Sequence, residues 1–296
     1  MKKRLFFSVL VIAVLGLMLT GCRFLLDNRL ELTYGDTLPA GIKLRNVSGT
    51  ANRIDDIKSK YKVVFYLDST NDDCIRRLDC ISKMIDLLSF ADLRYVLVWE
   101  DQIPVEEMKK AGIDLSFNYS LEGKVFLSES KPTAFLADEN NKITMVTGYS
   151  YISLVNKIIE LNGNKDLSAQ AIDMILKSAE GINTSAQDRS TKTMLMFISS
   201  GCRTCREVED IVCKNIDSMQ KNINVISVRP DFDMQQEYDQ YFEVDPQQIY
   251  FNIFACAQNI EASNRKYPMF FIINSDKTIE KFFTDPNEAV NYTLGL

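Results

Sequence analysis

MLMFISSGCRTC, residues 194–205, joins an apolar run to two cysteines through a short polar turn. The first five residues are all apolar, and such a short apolar run before a turn is typical of a buried strand. Residues 199–201 are small or polar, which is a turn signal. After Cys205, apolar side chains recur at three- and four-residue spacing, which indicates a helix. The stretch therefore predicts a strand that turns into a helix opening with Cys-x-x-Cys.

The same order of elements occurs twice along the chain. In each half, a strand and a helix are followed by a second strand, a second helix, a proline-led third strand, a polar turn, a fourth strand and a closing helix. The prolines are Pro132 and Pro268. The predicted strands are 62–67, 94–99, 131–136 and 143–147 in the first half, and 194–198, 223–228, 267–273 and 278–283 in the second. Two matching sets predict two domains of one α/β plan.

This order resembles that of the thioredoxin fold, over residues 35–160 and 190–296. The resemblance implies two thioredoxin-like domains in tandem, each with a central mixed β-sheet flanked by helices. Segments 35–39 and 54–58 resemble the additional N-terminal hairpin of the extracytoplasmic thioredoxin and peroxiredoxin branch. The expected boundaries are a signal peptide at 1–21, a tether at 22–34, domain one at 35–162, a helix and linker at 163–191, and domain two at 192–296.

The first 22 residues combine a basic start with an apolar run. Lys2, Lys3 and Arg4 precede the run 5–19, which ends in Leu-Thr-Gly-Cys22. This ending resembles the lipobox of bacterial lipoproteins, and it implies that Cys22 carries a lipid once the leader is removed. An uncleaved membrane anchor is the alternative, although the run is short for a span, at the margin of the roughly 17–25 residues required. Either way, we expect the rest of the chain in the cell envelope, outside the cytoplasm, where disulfides persist.

Composition excludes several classes of function. The 296-residue chain has no histidine, so Ser-His and Cys-His nucleophile pairs and His-containing zinc sites are excluded. The formal net charge is −6 and becomes more negative without the basic leader, which argues against nucleic-acid binding. The 46% hydrophobic content is that of folded domains. We expect no nucleic-acid partner, no metal ion and no cofactor.

Cys202 and Cys205 are the predicted catalytic pair. Unsatisfied backbone N–H groups and the helix dipole favour a thiolate at a helix N-terminus, and Arg203 and Arg206 add positive charge there. We therefore predict Cys202 as the nucleophile and Cys205 as the resolving thiol of thiol–disulfide exchange. The partners would be thiols and disulfides of envelope proteins.

The thioredoxin resemblance implies that Pro268 is the cis-proline beside this pair. It lies 66 residues after Cys202, and an insertion at 231–266 explains the distance. Gly201 stands where many members of the family have tryptophan. Alternatives for the cysteines are a structural disulfide or a zinc site made by residues 202, 205, 213 and 256. We expect Cys213 and Cys256 to be buried apolar positions rather than redox groups.

Cys74 and Cys80 form a possible second redox pair, with Pro132 as its proline. Six residues apart on one helix, they would be about 9 Å apart along the axis, too far for a disulfide. Either the helix begins after Cys80 or oxidation requires local unfolding. A structural disulfide in a loop is the alternative. Flanking arginines (76 and 77) would favour a thiolate at Cys74 and flanking aspartates (72, 73 and 79) would oppose it, so we expect a thiol less activated than Cys202.

Phe65-Tyr66 before Cys74 resembles the strand end that precedes the peroxidatic cysteine of single-chain peroxiredoxins. Leu67 and Asn71 depart from that family, which has proline and threonine or serine at these positions. The expected function is a membrane-anchored extracytoplasmic thiol–disulfide oxidoreductase. The alternatives are a non-catalytic envelope binding module with structural disulfides, and a thiol peroxidase that uses Cys74.

Overall fold

The computed structural model describes residues 31–122, 127–128, 130–148, 151–163, 167–180, 192–199, 203–228, 246–261 and 264–296. The predicted signal peptide, the predicted lipid site at Cys22, the predicted linker 181–191 and the predicted nucleophile Cys202 lie outside these residues. The described residues cluster into two compact units. Unit one is drawn from 31–78 and 91–148, and unit two from 79–90 and 149–296.

Unit one contains a seven-stranded mixed sheet. Its strands are β1 (Lys43–Asn46), β2 (Ala51–Arg53), β3 (Tyr61–Leu67), β4 (Leu93–Trp99), β5 (Asn118–Leu121), β6 (Thr133–Asp138) and β7 (Ile143–Thr147). They lie in the order β2-β1-β5-β4-β3-β6-β7. Strands β3, β4 and β5 are parallel, and the other pairs are antiparallel. The β1–β2 hairpin therefore joins the edge of the sheet beside β5.

Strand β3 is an interior strand of the sheet, between β4 and β6, and its side chains are buried on both faces. Every residue from 62 to 67 is buried, as expected for a strand covered on both sides. On one face, Val64 and Tyr66 join the apolar core of unit one. The other members of that core are Leu32, Leu38, Ile42, Leu44, Ile54, Val96, Val98, Leu121, Leu127, Phe135, Ala137 and Ile143. Helix α1 (Asp72–Arg76) follows β3, and helix α3 (Val105–Lys110) follows β4.

The single helix expected from Cys74 onward is broken. Helix α1 ends at Arg76, Arg77 follows as its C-cap with φ and ψ angles of −81° and −5°, and α2 (Leu78–Leu88) then begins. Cys74 therefore lies on α1 and Cys80 on α2. The two alternatives drawn from the sequence, a helix starting after Cys80 or one continuous helix through both cysteines, are both replaced by two short helices.

Unit two contains a four-stranded mixed sheet with the order β11-β10-β8-β9. The strands are β8 (Thr193–Phe197), β9 (Asn224–Val228), β10 (Met269–Ile273) and β11 (Ile279–Phe283). Strand β8 is parallel to β9, and β10 is antiparallel to both β8 and β11. The helices of this unit are α2, α4 (Ile152–Leu161), α5 (Ser168–Glu180), α6 (Arg203–Met219), α7 (Pro246–Ala257) and α8 (Pro286–Leu294).

Helices cover both faces of the second sheet. On one face, α6 and α8 pack together over the core that contains Met194, Met196 and Cys205. On the other face, Phe251 and Phe254 of α7 contact Phe197 of β8, with ring centroids 5.7 and 5.5 Å apart. Helix α7 lies in the segment that the sequence indicated as an insertion, and it also packs against α4 and α5. The insertion therefore supplies one of the layers of unit two.

The predicted fold class is confirmed: the described residues form two mixed sheets flanked by helices. All eight predicted strands are present within two residues of their expected ends. Helices α2 and α4, which the sequence assigned to domain one, cluster by packing with unit two. In the described residues, no helix is both long and apolar enough to cross a membrane.

Candidate functional site

Both proline-led strands begin with a cis peptide bond, Lys131–Pro132 in unit one and Tyr267–Pro268 in unit two. In the first sheet, the residue after the cis-proline pairs with Tyr66, near the carboxyl end of β3. In the second sheet, the residue after the cis-proline pairs with Phe197, at the carboxyl end of β8. Each cis-proline therefore lies beside the carboxyl end of the strand that precedes the cysteine-bearing helix.

Cys205 is a buried thiol in the first turn of α6. Its side chain is 2% exposed and packs in the core with Val208 and Val212. The backbone N–H of Ser199 donates to its Sγ over 3.5 Å. A shielded second thiol suits a group that attacks a neighbouring sulfur rather than a partner protein. Because Cys202 lies outside the described residues, its pairing with Cys205 stays a prediction.

Cys74 is also a buried thiol, and it forms no disulfide with Cys80. The backbone N–H of Asp68 donates to its Sγ over 3.4 Å. The pKa of Cys74 is raised to about 11, chiefly by burial and to a lesser extent by the Asp68 carboxylate. The Asp68 amide, Lys131 and Arg77 lower the pKa but do not outweigh burial. The thiol is therefore neutral at physiological pH, which disfavours attack by Cys74 on peroxide.

The positive charge near Cys74 is already neutralised by carboxylates. Lys131, which is 15% exposed at its side chain, pairs with Glu100 and lies 3.4 Å from Asp68 Oδ2. Its ammonium also lies 5.6 Å from the centre of the Tyr66 ring. Arg76 pairs with Asp73 of its own short helix, and it is not among the groups that lower the pKa of Cys74. Of the two arginines expected to favour a thiolate, only Arg77 therefore lowers the pKa of Cys74.

Asn71 connects the start of α1 to the residue before the cis-proline. Its Oδ1 accepts a hydrogen bond from the backbone N–H of Asp73 at 2.8 Å, which caps the helix. Its Nδ2 donates to the carbonyl oxygen of Lys131 at 3.4 Å. Sequence reasoning considered Asn71 only as a departure from the peroxiredoxin pattern, and its position beside the cis-proline was missed.

The other cysteines differ from expectation in two cases. Cys80 is buried on α2. Cys213 is exposed on α6, so the prediction of a buried position is wrong. Cys256 is only half-buried and accepts a hydrogen bond at its Sγ from Arg265 Nη2 at 3.2 Å, which corrects the expectation of an apolar core position. In the part of the chain that the structure describes, no three His, Cys, Asp or Glu side chains are grouped as a metal site would require.

A scan against protein-family models found no match, and a search of curated proteins found none either. Solved structures show partial likeness. A thiol:disulfide interchange protein from Bacteroides sp. is 20% identical with a TM-score of 0.37, over 46% of this chain and 94% of the other. A domain of a possible thiol-disulfide isomerase from Cytophaga hutchinsonii is 14% identical with a TM-score of 0.35, over 45% of this chain and 96% of the other.

A third likeness is to the thioredoxin domain of a thiol-disulfide oxidoreductase from Bacteroides vulgatus. It is 20% identical, with a TM-score of 0.30, over 39% of this chain and 89% of the other. Each of these structures corresponds to less than half of the present chain. The fold assignment rests on the topology: the described residues form two mixed sheets flanked by helices.

Proposed function

We propose that the chain is a thiol–disulfide oxidoreductase of the bacterial cell envelope, held at the membrane by a lipid on Cys22. The observation that carries the proposal is the setting of Cys205. This thiol is buried in the first turn of α6, under the Ser199 amide, next to the sheet edge where cis-Pro268 lies. Cys202 precedes it by three residues, within reach of a disulfide.

In the proposed reaction, the Cys202 thiolate attacks one sulfur of a partner disulfide. The partner's S–S bond breaks, its second sulfur leaves as a thiolate and takes up a proton, and a mixed disulfide joins Cys202 to the partner. Cys205 then gives up its proton and attacks the sulfur of Cys202, which releases the partner's first sulfur as a thiol. The partner gains two electrons and two protons, and the 202–205 pair becomes a disulfide. A dithiol donor must reduce the pair again before the next cycle.

The test is turnover of a protein disulfide by the full chain in detergent, with insulin as substrate and dithiothreitol as reductant. We expect Cys202→Ser to lose at least tenfold in rate, because the attacking sulfur is removed. Pre-reduced Cys205→Ser, mixed with insulin in the absence of dithiothreitol, should accumulate the mixed disulfide, which non-reducing electrophoresis detects. Cys213→Ser is the matched control, since this thiol is exposed on the same helix, and it should retain the wild-type rate. Absence of turnover in the wild type, or full turnover in Cys202→Ser, contradicts the proposal.

The lipid anchor needs a separate test. Cells expressing the full chain are fed an alkyne fatty acid, and the purified protein is examined for the label. We expect labelling of the wild type and its loss in Cys22→Ala, because the acceptor sulfur is gone. Equal labelling of both proteins would place the lipid elsewhere, and an unlabelled wild type would favour an uncleaved anchor.

A further inference from the structure

In both units, the strand residue that pairs next to the cis-proline lies the same number of residues before a buried cysteine. The residue after the cis-proline pairs with Tyr66 in unit one and with Phe197 in unit two. In each unit, a buried cysteine follows eight residues later: Cys74 in the first and Cys205 in the second. Each of these cysteines lies in the first turn of the helix that follows the central strand.

A hydrogen bond supports this correspondence independently. In unit one, the backbone N–H of Asp68 donates to Cys74 Sγ at 3.4 Å. In unit two, the backbone N–H of Ser199 donates to Cys205 Sγ at 3.5 Å. The donor precedes the cysteine by six residues in both cases. Cys74 therefore corresponds to Cys205, the second cysteine of the Cys-x-x-Cys motif, and its missing counterpart lies three residues earlier rather than at Cys80.

Three residues before Cys74 stands Asn71, where unit two has Cys202. We propose that Asn71 occupies the attacking position of a dithiol site that unit one retains in outline, so that unit one is redox-inert and unit two alone performs disulfide exchange. The proposal replaces the Cys74–Cys80 pair considered from the sequence. It deepens the proposed function, but its test on unit one does not depend on the activity of Cys202.

The surroundings of Asn71 fit a site that does not form a thiolate. The side-chain amide caps α1 through Asp73 and holds the carbonyl of Lys131, next to the cis-proline. The Lys131 ammonium is paired with two carboxylates, and Cys74 is buried without exposed surface. A disulfide requires a Cα–Cα separation of about 4.4–6.8 Å. The backbone N–H of Cys74 donates to the carbonyl of Asn71 over 3.0 Å, so one hydrogen-bonded turn joins the two positions and we expect a 71–74 disulfide to form there.

The experiment restores the missing sulfur. The full-length variant Asn71→Cys is oxidised with a glutathione buffer, and disulfides are assigned by mass spectrometry of peptides. We expect a 71–74 disulfide in most molecules. The control is Asp72→Cys, which places the new thiol one residue nearer and should show at least tenfold less bridging to Cys74. A 71–80 disulfide, or equal bridging in both variants, overturns the proposal, whereas absent insulin turnover in the wild type would overturn only the proposed function.

A reciprocal variant keeps the proposal falsifiable if Asn71→Cys does not fold. In Cys202→Asn, unit two should acquire the same Asn-x-x-Cys arrangement as unit one. We then expect iodoacetamide to modify Cys205 at a rate within about threefold of Cys74 at pH 8, because both thiols are buried under a backbone amide. A Cys205 that reacts a hundredfold faster than Cys74 in this variant shows that the two positions are not equivalent.

Discussion

The backbone N–H of Asp68 donates a hydrogen bond to the Sγ of Cys74, which lies six residues further along the chain. The bond holds the sulfur at the end of β3, where the side chain has no exposed surface. The same residue acts on the thiol in two opposite ways, because its amide lowers the pKa of Cys74 and its carboxylate raises it. Burial is the largest contribution, and it keeps the thiol protonated.

Cys74 should therefore react slowly near neutral pH, because its pKa is high. With a pKa of about 11, roughly one molecule in ten thousand carries the thiolate at pH 7. We expect iodoacetamide to modify exposed Cys213 rapidly at pH 8 and Cys74 at least a hundredfold more slowly. The rate at Cys74 should rise about tenfold per pH unit and continue to rise above pH 9.5. Peptide mapping after timed quenching measures both rates, and a plateau at Cys74 below pH 9 would contradict the raised pKa.

Charge changes next to Cys74 should shift its reactivity in opposite directions. Asp68→Asn removes a negative charge that raises the pKa of Cys74, so we expect about threefold to tenfold faster alkylation at pH 8. Lys131→Met removes a positive charge that lowers this pKa, so alkylation should slow by a similar factor.

The matched control for these two variants is Asp101→Asn. This carboxylate accepts hydrogen bonds from Ser69, the residue after Asp68, but it is not among the groups that shift the pKa of Cys74. In the Asp101→Asn variant, Cys74 should be alkylated at the wild-type rate. If Asp68→Asn and Lys131→Met change the rate in the same direction, loosened packing rather than charge governs access to the thiol.

Arg265 should be required for the stability of the helical layer in unit two. Its guanidinium donates to Asn156 of α4, to Asn252 and Cys256 of α7, and to the carbonyl of Ile260. Lysine lacks the planar fork that serves four acceptors at once. We expect Arg265→Lys to lower the local opening free energy by about 1–3 kcal/mol. Hydrogen exchange of peptides covering 246–261 should accelerate accordingly.

The control for Arg265 is Asp173→Asn, which breaks an exposed ion pair with Lys277 in the same unit. Such pairs contribute about 0–1 kcal/mol, so the exchange of α7 should change little. Equal acceleration in the two variants would mean that the guanidinium contacts do not stabilise the packing of α7.

Phe254 should be among the most sensitive core positions. Its ring is fully buried and contacts Phe197 and Phe271, with centroids 5.5 and 5.1 Å away. We expect Phe254→Ala to reduce the free energy of unfolding of unit two by about 3–5 kcal/mol, because a large cavity opens between α7 and the sheet. Phe282→Ala is the control, since that ring is 37% exposed and should cost about 1 kcal/mol or less. Urea denaturation followed by circular dichroism compares the two, and similar losses would contradict the assigned packing.

Much of the fold could be predicted because the two halves repeat the same apolar runs. Strands such as β3 and β8 are short, apolar and bounded by polar turns, and their ends differ by only a residue or two from expectation. The break at Arg77 was not predicted because apolar spacing continues through it on both sides. The grouping of α2 with unit two depends on contacts between segments distant in sequence, which no local pattern contains.

The candidate site was only partly accessible from sequence. The sequence predicts Cys74 as the first cysteine of the Cys74–Cys80 pair. The strand pairing next to the cis-prolines instead matches Cys74 to Cys205, the second cysteine of the Cys-x-x-Cys motif. Asn71 carries no signal of its own, since asparagine is common at helix starts. This match of Cys74 to Cys205 depends on which residues of β3 and β8 pair next to Pro132 and Pro268, and strand pairing cannot be read from the sequence. Cys213 follows buried Val212 on α6, but one residue along a helix turns the side chain by about 100°, here toward solvent.

Helix α7 has a consequence for anyone who wishes to make a smaller version of unit two. The insertion that contains it looks dispensable in sequence, since it only lengthens the path to Pro268. Its phenylalanines nevertheless cover the ring of Phe197, a few residues before Cys202. Excising the segment would expose an apolar surface that includes Phe197 at the carboxyl end of β8, so we expect a trimmed protein to aggregate.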